Sequence, residues 1–127
     1  MRYPIVFAIL FSLAPAALAE ETTINLSVKI KVGETKEITI IGGHSSDCKT
    51  SIPGDISITR SPAIGTLSQR ANVPYVFTRS ISHTCYGARL VGTAIDYTAL
   101  KAGSDHVQIE AVFPNGRAHF NISIANR

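Results

Sequence analysis

Five consecutive side chains, His44-Ser45-Ser46-Asp47-Cys48, bring an imidazole, two hydroxyls, a carboxylate and a thiol onto one short stretch. A nucleophile, a base and an orienting carboxylate are the parts of a Ser–His–Asp relay. Such a relay works only when rigid elements hold its members at hydrogen-bond distance. Neighbours on a polar stretch that follows Gly42-Gly43 are expected to face solvent as turn residues instead. The other acids and bases, His83, His106, His119, Asp55, Asp96 and Asp105, are scattered. The chain carries no Gly-x-Ser-x-Gly elbow, His-Glu-x-x-His pair, phosphate-binding loop or dinucleotide fingerprint. The expectation is a non-catalytic protein that uses no cofactor.

Cys48 and Cys85 are the only cysteines. Two isolated thiols lack the C-x-x-C spacing of a zinc site, so no metal is expected. In an exported chain the simplest fate of two cysteines is a disulfide. It would close a loop of 38 residues, counting both ends. Chain-entropy arithmetic for a loop of that length gives about 4 kcal/mol.

Export is what the first 19 residues predict. Arg2 supplies a positive start, an apolar run follows from Ile5 to Leu13, and Ala17-Leu18-Ala19 offers the small-x-small pattern of a signal-peptidase site. The run is well short of the roughly 20 residues that span a bilayer. Cleavage after Ala19 would leave 108 of the 127 residues as one domain, 20–127. The expected destination is the periplasm or the outside of the cell. Removal of Arg2 lowers the formal charge from +3 to +2, and the remaining cations are dispersed among few aromatics. That pattern speaks against nucleic acid as a partner.

The elements that would position these side chains all read as strands. Ile24, Leu26, Val28, Ile30 and Val32 alternate with Thr23, Asn25, Ser27, Lys29 and Lys31, a period of two that no amphipathic helix shares. Residues 36–41, 56–59, 74–79 and 88–98 are β-rich, whereas Gly42 to Gly54 and Gln69 to Val73 read as loops. At the C-terminus, Asn115-Gly116 predicts a type I′ hairpin loop between strands 106–113 and 117–125. The implied register sets Phe113 against Ala118, Ala111 against Phe120, Ile109 against Ile122 and Val107 against Ile124, all apolar. It also separates His106 from His119 by six positions, roughly 20 Å at strand rise, so the two cannot share an ion.

Two stretches carry a family likeness. Gly92-Thr93-Ala94-Ile95-Asp96-Tyr97-Thr98, followed by Gly103-Ser104-Asp105, resembles the strand and Gly-x-Asp turn of bacterial Ig-like and cadherin-like modules. Pro62-Ala63-Ile64-Gly65-Thr66-Leu67 is similar to a Pro-x-x-Gly-x-Leu turn of the same modules. The likeness spans about residues 56 to 125; Ala99 stands where those modules usually have Pro. It implies a bacterial host and an Ig-like, antiparallel β-sandwich of about seven strands. Physical reading of the same residues expects Gly103 to adopt positive φ, Asp105 to fix its turn and Tyr97 to set its hydroxyl on a backbone carbonyl. Calcium at Asp96 and Asp105 would need six or more oxygens, and no Asp-x-Asp-x-Asp loop provides them.

Recognition is expected from loops on a rigid sandwich. Two loops qualify: 42–54, with His44 and Asp47, joined by Tyr86 beside Cys85; and 69–75, with Arg70 and Tyr75. The functional expectation is a binding or structural module of the cell envelope whose partner is an envelope or extracellular protein or glycan. The alternative is a small secreted inhibitor acting through loop 42–54.

Overall fold

Alternation of dry and wet side chains becomes strand wherever it runs for four residues or more. The structure is a computed structural model that describes residues 20–78 and 84–127. The leader at 1–19, the strand end at Arg79, and His83 lie outside the described residues. Among the described residues there are nine strands and no helix. They are β1 (Glu20–Ile30), β2 (Thr35–Ile41), β3 (Gly43–His44), β4 (Ser51–Ile52), β5 (Asp55–Arg60), β6 (Gly65–Val76), β7 (Arg89–Ala99), β8 (Gly103–Phe113) and β9 (Gly116–Asn126). Seven of them make two larger sheets, ordered β1-β9-β8-β5 and β2-β7-β6, while β3 and β4 form a two-residue ribbon.

The two larger sheets close over one core. Val107, Ile109, Ala111, Phe120, Ile122 and Ile124 come from the four-stranded sheet; Ile38, Ile41, Ile95, Tyr97 and Ala99 come from the three-stranded one. Burying each large apolar side chain contributes about 1.5–3 kcal/mol, so these inner faces hold the layers together. The predicted alternation of β1 holds as far as Ile30, which is buried; Val32 falls in the turn and is exposed. Although the other pairings are antiparallel, β1 joins β9 in parallel, with Ile24, Leu26 and Val28 opposite Phe120, Ile122 and Ile124. Apolar residues thus line up on one face of both chains, which is what fixes that register.

Three local departures from the sequence reading have physical causes. First, the C-terminal hairpin turns at Pro114-Asn115, pairing Phe113 with Gly116, Ala111 with Ala118, Ile109 with Phe120 and Val107 with Ile122. Neither Asn115 nor Gly116 has positive φ. Proline at the second turn position and glycine at the fourth suit a type I turn, and that preference overrides the I′ signal. The register slides by two, so every side chain keeps its face. Second, 69–73 is not a loop. It continues β6 through a bulge in which Ala71 and Asn72 together oppose Thr93, and Asn72 absorbs the extra residue at φ 57°. Pro74 is tolerated because β6 is an edge strand. Third, a bulge at Ile38 lets both Ile38 and Ile41 reach the core.

At one end of the sandwich the turn chemistry is as expected. Gly103 sits at φ 136°. The buried Asp105 carboxylate accepts from the N–H groups of Ala63 (2.8 Å), Ile64 (3.1 Å) and His106 (2.9 Å). The Tyr97 hydroxyl donates to this carboxylate at 2.7 Å, where a backbone carbonyl was expected to receive it. Asn126 donates in turn to the Tyr97 oxygen at 2.8 Å and to the Lys101 carbonyl at 3.0 Å. Burial pushes the Asp105 pKa up, but the bonds from Ala63, Tyr97, Ile64 and His106 outweigh it and hold the group below 3.8. Burial likewise raises the pKa of Tyr97.

Candidate recognition surface at the disulfide end

Loop 42–54 is short of apolar residues, so its order has to come from polar bonds and covalent ties. The β3–β4 ribbon starts it, pairing His44 with Ser51. Ser45 N–H donates to the Thr50 carbonyl at 2.9 Å, and Cys48 N–H donates to the Ser45 carbonyl at 3.0 Å. Side chains then replace missing backbone bonds. Ser45 Oγ donates to Asp47 Oδ1 at 2.5 Å, the Lys49 N–H reaches the same oxygen at 3.1 Å, and the Thr50 N–H reaches Ser45 Oγ at 3.0 Å. The Ser45 hydroxyl, and after it the Lys49 N–H, lower the Asp47 pKa. Asp47 is thus a charged, exposed loop brace.

Cys48 closes the loop. It bonds to Cys85 as predicted, with the two Cα atoms 5.3 Å apart. Cys48 occupies the left-handed region at φ 63°, a conformation that costs about 1–2 kcal/mol in a residue with a Cβ and persists only where surrounding ties impose it. Cys85 is buried, whereas the next residue, Tyr86, is half-exposed. From below, the Phe113 ring fills the space beside Gly43 and Gly54; a Cβ on either glycine would collide with it. The Val91 N–H also donates to Ser51 Oγ at 2.9 Å, tying the ribbon to β7. What projects is a braced tip: Ser46, Asp47, Lys49 and Thr50 are all exposed.

His44 sits behind this tip, half-buried. Its Nδ1 lies 2.9 Å from the Ser45 carbonyl oxygen and 3.3 Å from Cys85 Sγ, and its ring meets Phe77 edge-on with centroids 5.6 Å apart. The Ser45–Asp47 contact forms, but the imidazole turns toward the disulfide. The three side chains therefore do not align as a Ser–His–Asp relay.

The second expected loop dissolves into β6, and its two candidates separate. Arg70 lies on the exposed face of the three-stranded sheet, where Nε meets Asp96 Oδ2 at 2.6 Å and a terminal nitrogen meets Glu37 Oε1 at 2.9 Å. The hydrogen bond from Arg70 lowers the Asp96 pKa, and Asp96 with Glu37 raises that of Arg70. Asp96 is thereby committed to arginine on one sheet while Asp105 is committed to backbone, so calcium has no shared site at the pair. Tyr75 does approach loop 42–54, but as a support: a Cβ on Gly42 would stand 2.9 Å from its hydroxyl oxygen. A depression of about 250 Å³ lies between the loop base and the β6 bulge, lined by Gly42, Ser51, Pro53, Asn72 and Thr93 among others.

The outlying histidines do not converge. His106 Nδ1 is 2.9 Å from an Arg60 guanidinium nitrogen, and His119 lies 3.7 Å from Glu21 and 3.9 Å from Glu110. The observed register places His119 opposite Glu110, four positions from His106 rather than six. At strand rise this is about 13 Å, still too far for a shared ion. One grouping was invisible in the sequence. A ring nitrogen of His44, Cys48 Sγ and Cys85 Sγ all lie within 4.8 Å of one another. Spacings of 4 and 37 residues match no ligand motif, and only the fold brings the three together.

These features define a two-layer, disulfide-pinned β-domain with a braced loop at one end. No family model and no curated protein matches the chain. Two solved structures resemble it. The solution structure of Amebosin matches with a TM-score of 0.50 and 14% identity over 85% of this chain and 99% of that one. The structure of PbICP-C in complex with falcipain-2 matches with a TM-score of 0.44 and 14% identity over 91% and 96%. At such identity the likeness to Amebosin is one of fold.

Proposed function

We propose that this chain is an exported, non-catalytic protein-binding module that presents loop 42–54 as a preformed recognition element. One observation carries the reading: a polar loop with an exposed tip is braced by the Cys48–Cys85 bond, by the Ser45–Asp47–Lys49 bonds and by Phe113 beneath it. A loop ordered before binding loses little conformational entropy on binding, and affinity rises accordingly. Tyr86, half-exposed beside the disulfide, adds the kind of aromatic side chain that anchors interfaces. Export is supported by the Ala17-Leu18-Ala19 leader pattern and by a disulfide that persists in oxidising compartments. The two-layer architecture and the Gly103–Asp105 turn support kinship with Ig-like envelope modules.

The same loop favours a second, narrower reading, a secreted inhibitor of a hydrolase, because a convex and rigid tip can enter a substrate cleft. Protein purified after export is used as bait on envelope extract, beside a variant in which the exposed residues 46, 47, 49 and 50 are Gly or Ser and the Cys48–Cys85 bond is kept. Specific partners captured by the wild type and lost by the variant are the expected result; an identical partner set overturns the assignment to the loop. Titration against serine, cysteine and metalloproteases separates the readings. An inhibitor silences one class at near-stoichiometric ratio.

A further inference from the structure

The only disulfide among the described residues has an imidazole against it, and the grouping has the composition of a soft-metal site. We propose that reduction of Cys48–Cys85 unmasks a three-coordinate Cu(I) site made of Cys48 Sγ, Cys85 Sγ and His44 Nδ1. This is independent of any partner bound by the loop.

The donor set selects the ion. Thiolates are soft ligands that favour Cu(I), and imidazole suits copper as well. Zinc accepts a Cys2His set only by adding water as a fourth ligand, whereas Cu(I) is satisfied by the three soft and borderline donors that cluster here among the described residues. The separations also fit. His44 Nδ1 and Cys85 Sγ are already 3.3 Å apart, within about 0.4 Å of the edge of about 3.7 Å that metal bonds of 2.0 and 2.3 Å subtend at a trigonal angle. The sulfurs must part to about 4.0 Å to share a three-coordinate ion. With the Cα atoms 5.3 Å apart, turning the half-buried Cys48 side chain suffices. Cys85 and His44 sit behind the tip, with Phe77 against the imidazole, so the ion would be shielded from bulk water on that side.

The chemistry balances. A small dithiol attacks the more exposed Cys48 sulfur, the S–S bond breaks, and Cys85 leaves as thiolate beside His44. The second thiol of the reductant then displaces Cys48 and closes its own disulfide. The protein gains two electrons and two protons; the dithiol loses them. Cu(I) binding next expels the thiol protons, since the metal ligand is the thiolate. Ligation through Nδ1 requires the Nε2–H tautomer and gives up the contact with the Ser45 carbonyl.

The test uses exported protein reduced with dithiothreitol under nitrogen, desalted, and titrated with Cu(I) supplied as its bicinchoninate complex. The expected result is one Cu(I) withdrawn per reduced chain and none per oxidised chain. X-ray absorption then shows two sulfurs and one nitrogen around copper. His44→Ala still forms the disulfide but binds at least tenfold more weakly and loses the nitrogen scatterer. The proposal is overturned if the reduced chain leaves Cu(I) with the chelator, or if His44→Ala binds as tightly as wild type. It is also overturned if reduction abolishes the β-sheet circular dichroism and Cu(I) fails to restore it.

Discussion

Replacing Asp105 by Asn tests how the two layers are joined at the end remote from the disulfide. The change conserves volume and leaves one acceptor oxygen, so Ala63 and His106 can keep their bonds to it. The other oxygen becomes an NH2 group facing two donors, the Ile64 N–H and the Tyr97 hydroxyl. A buried donor left without an acceptor costs about 1–3 kcal/mol. The Tyr97 hydroxyl can rotate and Ile64 cannot, so the expected loss is about 2–4 kcal/mol, a large share of the 5–15 kcal/mol typical of a domain. Urea unfolding at pH 7 measures it, with exposed Ser104→Ala as a control that stays within about 0.5 kcal/mol. The pH dependence supplies the sign. Asp105 has a folded pKa below its reference of 3.8, so its contribution is fully present above that value. It is lost as pH falls from 3.8 through the folded pKa. The gap between wild type and Asp105→Asn must therefore narrow in acid. A variant within about 0.5 kcal/mol of wild type at pH 7, or a gap unchanged below pH 3, refutes the reasoning.

Other outcomes follow from the same contacts. Phe113→Ala removes the ring beneath Gly43 and Gly54 at a cost of about 2 kcal/mol; hydrogen exchange at Ser45 and Thr50 should accelerate well before exchange in β9 does. The Cys48→Ala/Cys85→Ala double variant should lower the unfolding free energy by about 4 kcal/mol in urea titration while keeping the β-sheet spectrum. Ile122→Ala opens a cavity at a fully buried position shared by both layers and should cost about 2–5 kcal/mol by the same titration. Mass spectrometry of protein recovered from the culture should find an N-terminus at Glu20, as cleavage after Ala19 requires.

Much of the fold was legible because strand formation here is a local matter. The alternation from Ile24 to Ile30 marks an inner face whatever it pairs with, and the same holds for Val107, Ile109, Ala111, Phe120, Ile122 and Ile124. The C-terminal hairpin shows the limit of that reasoning. A register wrong by two keeps every residue on its face, so alternation alone cannot distinguish the two pairings; Pro114 at the turn decides. The cysteine pairing needed only a count of two. The bulge at Asn72 was not legible, since Gln69 to Asn72 is polar and has no alternation until β7 pairs along it.

By itself, then, the order of residues determined most of the stretches that become strands, which of their faces turn inward and which sulfurs join; it foresaw positive φ at Gly103 but assigned it wrongly to Asn115 and Gly116. Tertiary structure alone decided that β1 lies parallel to β9, that the Tyr97 hydroxyl meets Asp105, that Arg70 is occupied by Asp96 and Glu37, and that His44 rests on the Cys85 sulfur. The physical division is between short and long range. Backbone preference and side-chain alternation act over a few residues. Hydrogen bonds between groups 8, 26 or 41 positions apart exist only after strands and loops distant in sequence have been brought together by the fold.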